Sequence, residues 1–282
     1  MRVDDIGILA CPETRNPLVY QGTNLEGVLQ DGVLICRETG VAWGVEESWP
    51  RLVRELRLDG PRERLLKLHD FAPRLHDPLV RTLCRALRTT PELAARTEAF
   101  RLLDLPSLRA SADGPARVLE VGTGAGGGLA AVEQQLPDGV DVQLWGTDVS
   151  FGMLQEARRR FNAEDPSGPL HQARLLLAEA AGLPFGDGSF DRVVHLGGLA
   201  GFRDARAALA EMARVARSGT PVVVLEANPG PDAPLGILGN AARKLLPAVP
   251  DGALADLVPP SAGDVEVRRL DPLFVLLRFT AP

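Results

Sequence analysis

Short apolar runs alternating with amphipathic stretches dominate the chain from residue 116 onward. ARVLEV, VQLWGTD, RLLLA, FDRVVHL and PVVVLEA are continuous rather than alternating runs, as strands buried on both faces of a parallel sheet require. Between them, GGLAAVEQQL, SFGMLQEARRRF and DARAALAEMARVAR carry helical spacing, and Ala208, Met212 and Val215 share one face of the last. Ser150 and Asp204 stand at the positions of helix N-caps. This order predicts a doubly wound α/β sheet. EVRRL and LFVLLRF follow, joined by a connection too short for a parallel crossover. The last pair is therefore expected to be antiparallel.

The earlier chain has a different rhythm. VLICR and VAWGV read as strands bounded by Gly, Asn and Asp, so residues 1–55 predict a small β-rich domain. Residues 60–109 are rich in Leu, Arg and Ala, with Pro73, Pro78 and Pro91 as punctuation, and predict helices. SADGP at 111–115 reads as a linker. The expected organisation is a domain over 1–55, a helical connecting segment or lid over 56–111, and the α/β domain over 112–282.

The chain of 282 residues, 45% hydrophobic, is long enough for one large domain or a domain with an appendage. No apolar run approaches the roughly 18 to 20 residues that cross a bilayer. MRVDDIGILACPE has acids where a signal peptide carries basic residues, and a cytoplasmic protein is expected. Cys11, Cys36 and Cys84 are too few and too scattered for a disulfide framework. The net charge of −6 argues against phosphate-driven nucleic-acid binding. Residues 51–109 reverse that balance with 13 basic against 8 acidic residues, as a solvated helical face also would.

The chemistry concentrates in RVLEVGTGAGGGLAAV, residues 117–132. A glycine turn between strand and helix lets backbone N–H groups approach a ligand at the positive end of a helix dipole. Gly122-x-Gly124-x-x-Gly127 alone would suit a dinucleotide. Glu120 changes that: a carboxylate beside the turn repels a phosphate and attracts an ammonium. S-adenosyl-L-methionine has an ammonium and no phosphate. Asp148, ending the next strand, can accept from both ribose hydroxyls or cap the following helix, for which Ser150 is better placed.

These features, with Ala178-Glu179-Ala180, LPF and Ser189-Phe190-Asp191 after the third strand, resemble the class I S-adenosylmethionine-dependent methyltransferases of the small-molecule and quinone-biosynthesis branch. The resemblance spans about residues 112–227 and implies a Rossmann-like sheet with an antiparallel last strand. It also implies that Glu120, Gly122, Thr123, Gly124 and Gly126 grip the methionine end of the cofactor. Asp148 would take the ribose, Glu179 and Ala180 the adenine, and Val149 and Met153 are further cofactor-binding residues, with Glu179 standing where the family usually has Asp. His195, late in the fourth strand, is assigned to the cofactor site and as the candidate catalytic base. Its alternative is packing, hydrogen-bonded to backbone.

ILACPETRNPLVY and the later VLICRETGVAWGV resemble the small Trm112-like domain, through Cys11-Pro12, Pro17-Leu18, Cys36 and Trp43. Thr14 and Thr39 stand where zinc-binding members carry cysteines, so no metal is expected and Cys11 and Cys36 read as buried core residues. In that family the domain is a partner and activator of methyltransferases.

The expected function is methyl transfer to a small-molecule acceptor by in-line displacement. A tRNA, rRNA or protein acceptor and a non-catalytic regulatory role remain as alternatives, and a homodimer is left open. His69-Asp70 and His76-Asp77 read either as pocket lining or as solvated helix. Residues 228–250 read either as a substrate lid or as a covering helix.

Overall fold

The computed structural model describes residues 1–54, 92–110, 114–163, 168–228, 249, 251–271 and 273–282. The two His-Asp pairs and residues 229–248 of the lid segment lie outside the described residues. The strands are β1 (Leu18–Leu25), β2 (Val28–Cys36), β3 (Ala42–Glu46), β4 (Trp49–Leu52), β5 (Ala116–Val121), β6 (Val142–Asp148), β7 (Arg174–Ala178), β8 (Arg192–Leu196), β9 (Pro221–Ala227), β10 (Gly263–Arg269) and β11 (Phe274–Thr280). The described helices are α1 (Glu92–Leu103), α2 (Gly127–Glu133), α3 (Phe151–Phe161), α4 (Ala205–Val215) and α5 (Asp251–Leu257).

The apolar runs of the second half form the parallel strands β7-β6-β5-β8-β9, and β11 follows antiparallel to both β9 and β10. The doubly wound sheet with a reversed last strand is thus present as the apolar pattern predicts. Ser150 caps α3 by accepting from Met153 N at 3.1 Å, and Asp204 caps α4 by accepting from Ala207 N at 2.9 Å. Ala208, Met212 and Val215 all lie in the core. The helix read over GGLAAVEQQL ends earlier, at Glu133, where its last turn tightens through Gln135 N to Val132 O. Within 60–109 the described helical elements are α1 and a short 3-10 turn over Leu105–Ser107.

The N-terminal region differs more. It holds four strands and a 3-10 segment, Val3–Ile8, where the sequence pattern shows two strands. WPRL carries Pro50, which argues against a strand, yet β4 pairs antiparallel with β3 and parallel with β7. Arg51 faces Leu177 and Leu52 faces Ala178, so β1–β4 continue the main sheet at its β7 edge. A second link joins Leu9 to Phe185: Ala10 N donates to Pro184 O at 3.0 Å and Gly186 N to Ile8 O at 2.9 Å. One apolar core runs through both regions, joining Leu9, Leu34, Trp43 and Leu52 to Trp145, Phe185 and Phe190. The last three rings meet edge to face, at centroid separations of 5.7, 6.0 and 4.7 Å.

Cys11 and Cys36 sit in that core as free thiols. The Thr14 hydroxyl lies 3.4 Å from Cys36 Sγ. Hydrogen bonds from Thr14 and Thr39 hold the Cys36 thiol down at about 7.

Candidate active site

The parallel register aligns the carboxyl ends of five strands: Val121 is level with Thr147, Thr147 with Leu176, and His195 with Val224. Strand order reverses at β5, between β6 and β8, and the carboxyl ends beside such a switch point are where open α/β sheets bind ligands. The glycine turn leaves β5 at this position. Gly122, Gly124 and Gly126 adopt φ of 71, 51 and 79°, a region that favours glycine. Thr147 O pins the turn by accepting from Gly122 N at 2.8 Å and Thr123 N at 2.9 Å. A Cβ on Gly126 would meet the Phe161 ring at 2.5 Å, whereas one on Gly124 would meet no described residue within 4 Å. Gly126 therefore serves packing, and Gly124 presents its backbone to open space.

Glu120 lies beneath the turn, 2% exposed. Its Oε2 accepts from Thr123 Oγ1 at 2.7 Å and from Leu129 N at 3.0 Å. Gly126, the N-cap of α2, has no side chain with which to cap the helix, and Glu120 supplies that cap from the strand. Burial nonetheless pushes its carboxyl up to about 7, against the Thr123 hydrogen bond and the nearby Arg96 charge. Any influence on a ligand ammonium acts from below the turn. Oε1 occupies the place of a Cβ on Gly128, at 1.8 Å. Gly128, which the sequence reading passes over as part of the helix, is thus required by the acid. Gly128→Ala is expected to displace Glu120 and lower the melting temperature, as a steric clash in a packed core does by about 1–3 kcal/mol. Thermal unfolding of the two chains checks this.

Asp148 is half-buried at the end of β6. Its Oδ2 accepts from Gly124 N and its Oδ1 from Ser150 N, each at 2.8 Å, so it ties the turn to the start of α3. Val149 is half-buried beside it, and Met153 is buried one helical turn on. Glu179, half-buried, immediately follows β7 at the start of the 180–182 turn and makes no side-chain capping hydrogen bond there. Ala180 behind it is buried. The N-terminal region brackets this segment: β4 pairs with Leu177 and Ala178 just before Glu179, and residues 8–10 pair with 184–186 just after it. No feature of the first fifty residues announces that bracket.

His195 is fully buried. Its Nδ1 donates to Val121 O at 2.7 Å, which leaves the Nε2 lone pair facing inward without a hydrogen bond. Desolvation lowers it to about 4. The Phe202 ring packs against it, tilted by 48° with the centroids 4.7 Å apart. The His195 ring lies on the back of the Gly122 turn, 3.3 Å from where a Cβ on that glycine would lie, and its bond to Val121 O is one that the packing alternative requires. Sequence reading misses Glu226 entirely, because a lone acid ending an apolar strand carries no motif. It is 3% exposed, and its Oε2 lies 4.0 Å from His195 Nε2.

A family described as a methyltransferase domain matches residues 118–219, and one described as Trm112p-like protein matches residues 7–48. A demethylmenaquinone methyltransferase from Thermus thermophilus is 36% identical over 124 residues, 44% of this chain and 53% of its own length. An O-methyltransferase from Penicillium expansum is 35% identical over 121 residues, 42% of this chain and 41% of its own. The chain thus spans about half the length of the curated relatives it matches. In fold it is similar to the solved complex containing the Haloferax volcanii Trm112 methyltransferase activator, with a TM-score of 0.53 and 15% identity, covering 76% of this chain and 97% of that one.

Proposed function

We propose that this chain, which joins a class I methyltransferase domain to a Trm112-like domain, transfers a methyl group from S-adenosylmethionine to a small-molecule acceptor. What carries the reading is the set of three acids at adjacent strand ends around an open glycine turn: Glu120 on β5, Asp148 on β6 and Glu179 after β7. Gly124, with room where a Cβ would stand, and Asp148, bonded to it, fit a nucleoside ribose. Glu179 fits an adenine amino group. When bound, S-adenosylmethionine supplies a methyl group activated on a sulfonium sulfur.

The chain's own residues then have to hold an acceptor close and in line. The loop after β8, where a Cβ on Gly197 or Gly198 would meet no described residue within 4 Å, and the end of β9 bound the acceptor side of the switch point. The curated relatives act on a demethylmenaquinone or carry out O-methylation, which favours an aromatic hydroxyl or hydroquinone acceptor. The Trm112-like region would serve as a built-in activator, holding the segment around Glu179. Calorimetry with S-adenosylmethionine, followed by S-adenosylhomocysteine release across phenols, hydroquinones, amines, thiols and tRNA, tests the reading. A chain that binds no cofactor refutes it.

The pH dependence of binding follows from Glu120. An acid held near 7 is largely protonated at pH 5.5 and becomes ionised as pH rises. If the ionised form is the one that favours the ligand ammonium, binding releases a proton and affinity rises from pH 5.5 to 7. The slope approaches about tenfold per pH unit well below 7. In Glu120→Gln the slope is expected to vanish, whereas retention of the full slope would assign it elsewhere. Titration calorimetry in buffers of different ionisation enthalpy measures the released proton directly.

A further inference from the structure

We propose that Glu226 is a positioning residue for the methyl acceptor, acting through the loop from Gly197 to Phe202 and not through the cofactor turn. The inference rests on the methyltransferase reading and extends it to the acceptor side. Glu226 stands near the end of β9, and its Oε2 accepts from Gly198 N at 3.1 Å and Leu199 N at 2.8 Å, with Ala200 N–H also directed at the carboxylate. A buried carboxylate is expensive to keep; consecutive backbone donors of the neighbouring loop offset part of that cost, and burial still pushes the carboxyl up to about 7. Those donors converge because Gly197 and Gly198 adopt φ of 97 and 100°.

Among the described residues, nothing lies within 4 Å of a Cβ built on either glycine. The loop's far end carries Phe202, whose ring packs on His195 and lies 3.5 Å from a Cβ built on Gly122. One side of the loop is therefore anchored to β9 by Glu226, while the Cβ positions of Gly197 and Gly198 meet no described atom and leave room for an acceptor near the turn. The turn itself is held by other groups: Thr147 O, Asp148 and Glu120. Loss of the Glu226 carboxylate leaves the buried Leu199 N–H without its acceptor and releases the Gly198 N–H toward solvent, so the loop has to move to hydrate Leu199 N. The cofactor turn keeps every hydrogen bond it has.

The test uses the full chain with Glu226→Leu and Glu226→Gln, S-adenosylmethionine as cofactor and 1,4-naphthohydroquinone as the probe acceptor. Glu226→Leu is expected to lower kcat/KM for the acceptor by about 10- to 100-fold, through loss of the hydrogen bonds that hold Gly198 N and Leu199 N. Cofactor affinity by calorimetry should stay close to that of the unaltered chain. Glu226→Gln, whose amide oxygen can accept from the same N–H groups, should recover most of the acceptor kinetics. Hydrogen exchange at the Gly198 and Leu199 amides, which needs no turnover, should accelerate in Glu226→Leu alone. Unchanged acceptor kinetics, unchanged amide protection, or an equal fall in cofactor affinity and acceptor kinetics each overturns the assignment. A chain that binds no S-adenosylmethionine defeats the methyltransferase reading instead, and the amide protection then decides the role of Glu226 in the loop.

Discussion

Asp148→Ala is expected to abolish measurable S-adenosylmethionine binding while leaving the chain folded. Two losses combine. The ribose loses a carboxylate able to accept from both hydroxyls, and each charge-assisted hydrogen bond is worth about 1.5–3 kcal/mol. The turn loses the anchor on Gly124 N, so the backbone that faces the ligand is no longer fixed. Together these predict an affinity lower by roughly 100- to 10,000-fold. Asp148→Asn separates the two effects, since its amide oxygen can still accept from Gly124 N while the charge is gone, and an intermediate loss is expected. The fold should survive, because Asp148 is half-buried at a strand end and Ser150 keeps the α3 cap. Calorimetry and thermal unfolding together check the prediction. Undiminished binding in the alanine chain would remove the ribose from Asp148 and the cofactor from this site.

That prediction was available from the sequence, and the reason is local. Apolar runs of five to seven residues with caps between them can form little other than covered parallel strands. Their ends fix where Glu120, Asp148 and Glu179 emerge. What the sequence could not supply was direction at the side-chain level. Glu120 reads as a ligand for an ammonium, but a glycine N-cap leaves α2 in need of an acceptor, and the acid turns down to Leu129 N. His195 reads as candidate base or as packing, and what the sequence does not show is its complete burial and its bond to Val121 O. Glu226 had no signal, because its partners are backbone N–H groups of a loop 27 residues away in the chain. β4 was hidden by its four-residue length and Pro50.

The junction between the two regions carries the second large effect. Residues 92–282 expressed without the N-terminal region are expected to aggregate, and those that stay soluble to bind S-adenosylmethionine poorly. Removing the first region uncovers the β7 edge along Leu177 and Ala178, whose backbone groups β4 otherwise pairs. It also strips Leu9, Trp43 and Leu52 from a core shared with Trp145, Phe185 and Phe190. Burial of each such side chain is worth about 1.5–3 kcal/mol, so a few of them equal much of the roughly 5–15 kcal/mol that holds a typical domain folded. Glu179 suffers twice, because the pairings on both sides of its segment disappear. Residues 1–54 supplied by co-expression should restore solubility, since the contacts run through backbone pairing and apolar packing and need no covalent link. In the full chain, Leu52→Asp should reproduce the loss of stability in milder form. A soluble 92–282 chain that binds cofactor as tightly as the full chain would show that the Trm112-like region contributes to neither the fold nor the segment around Glu179.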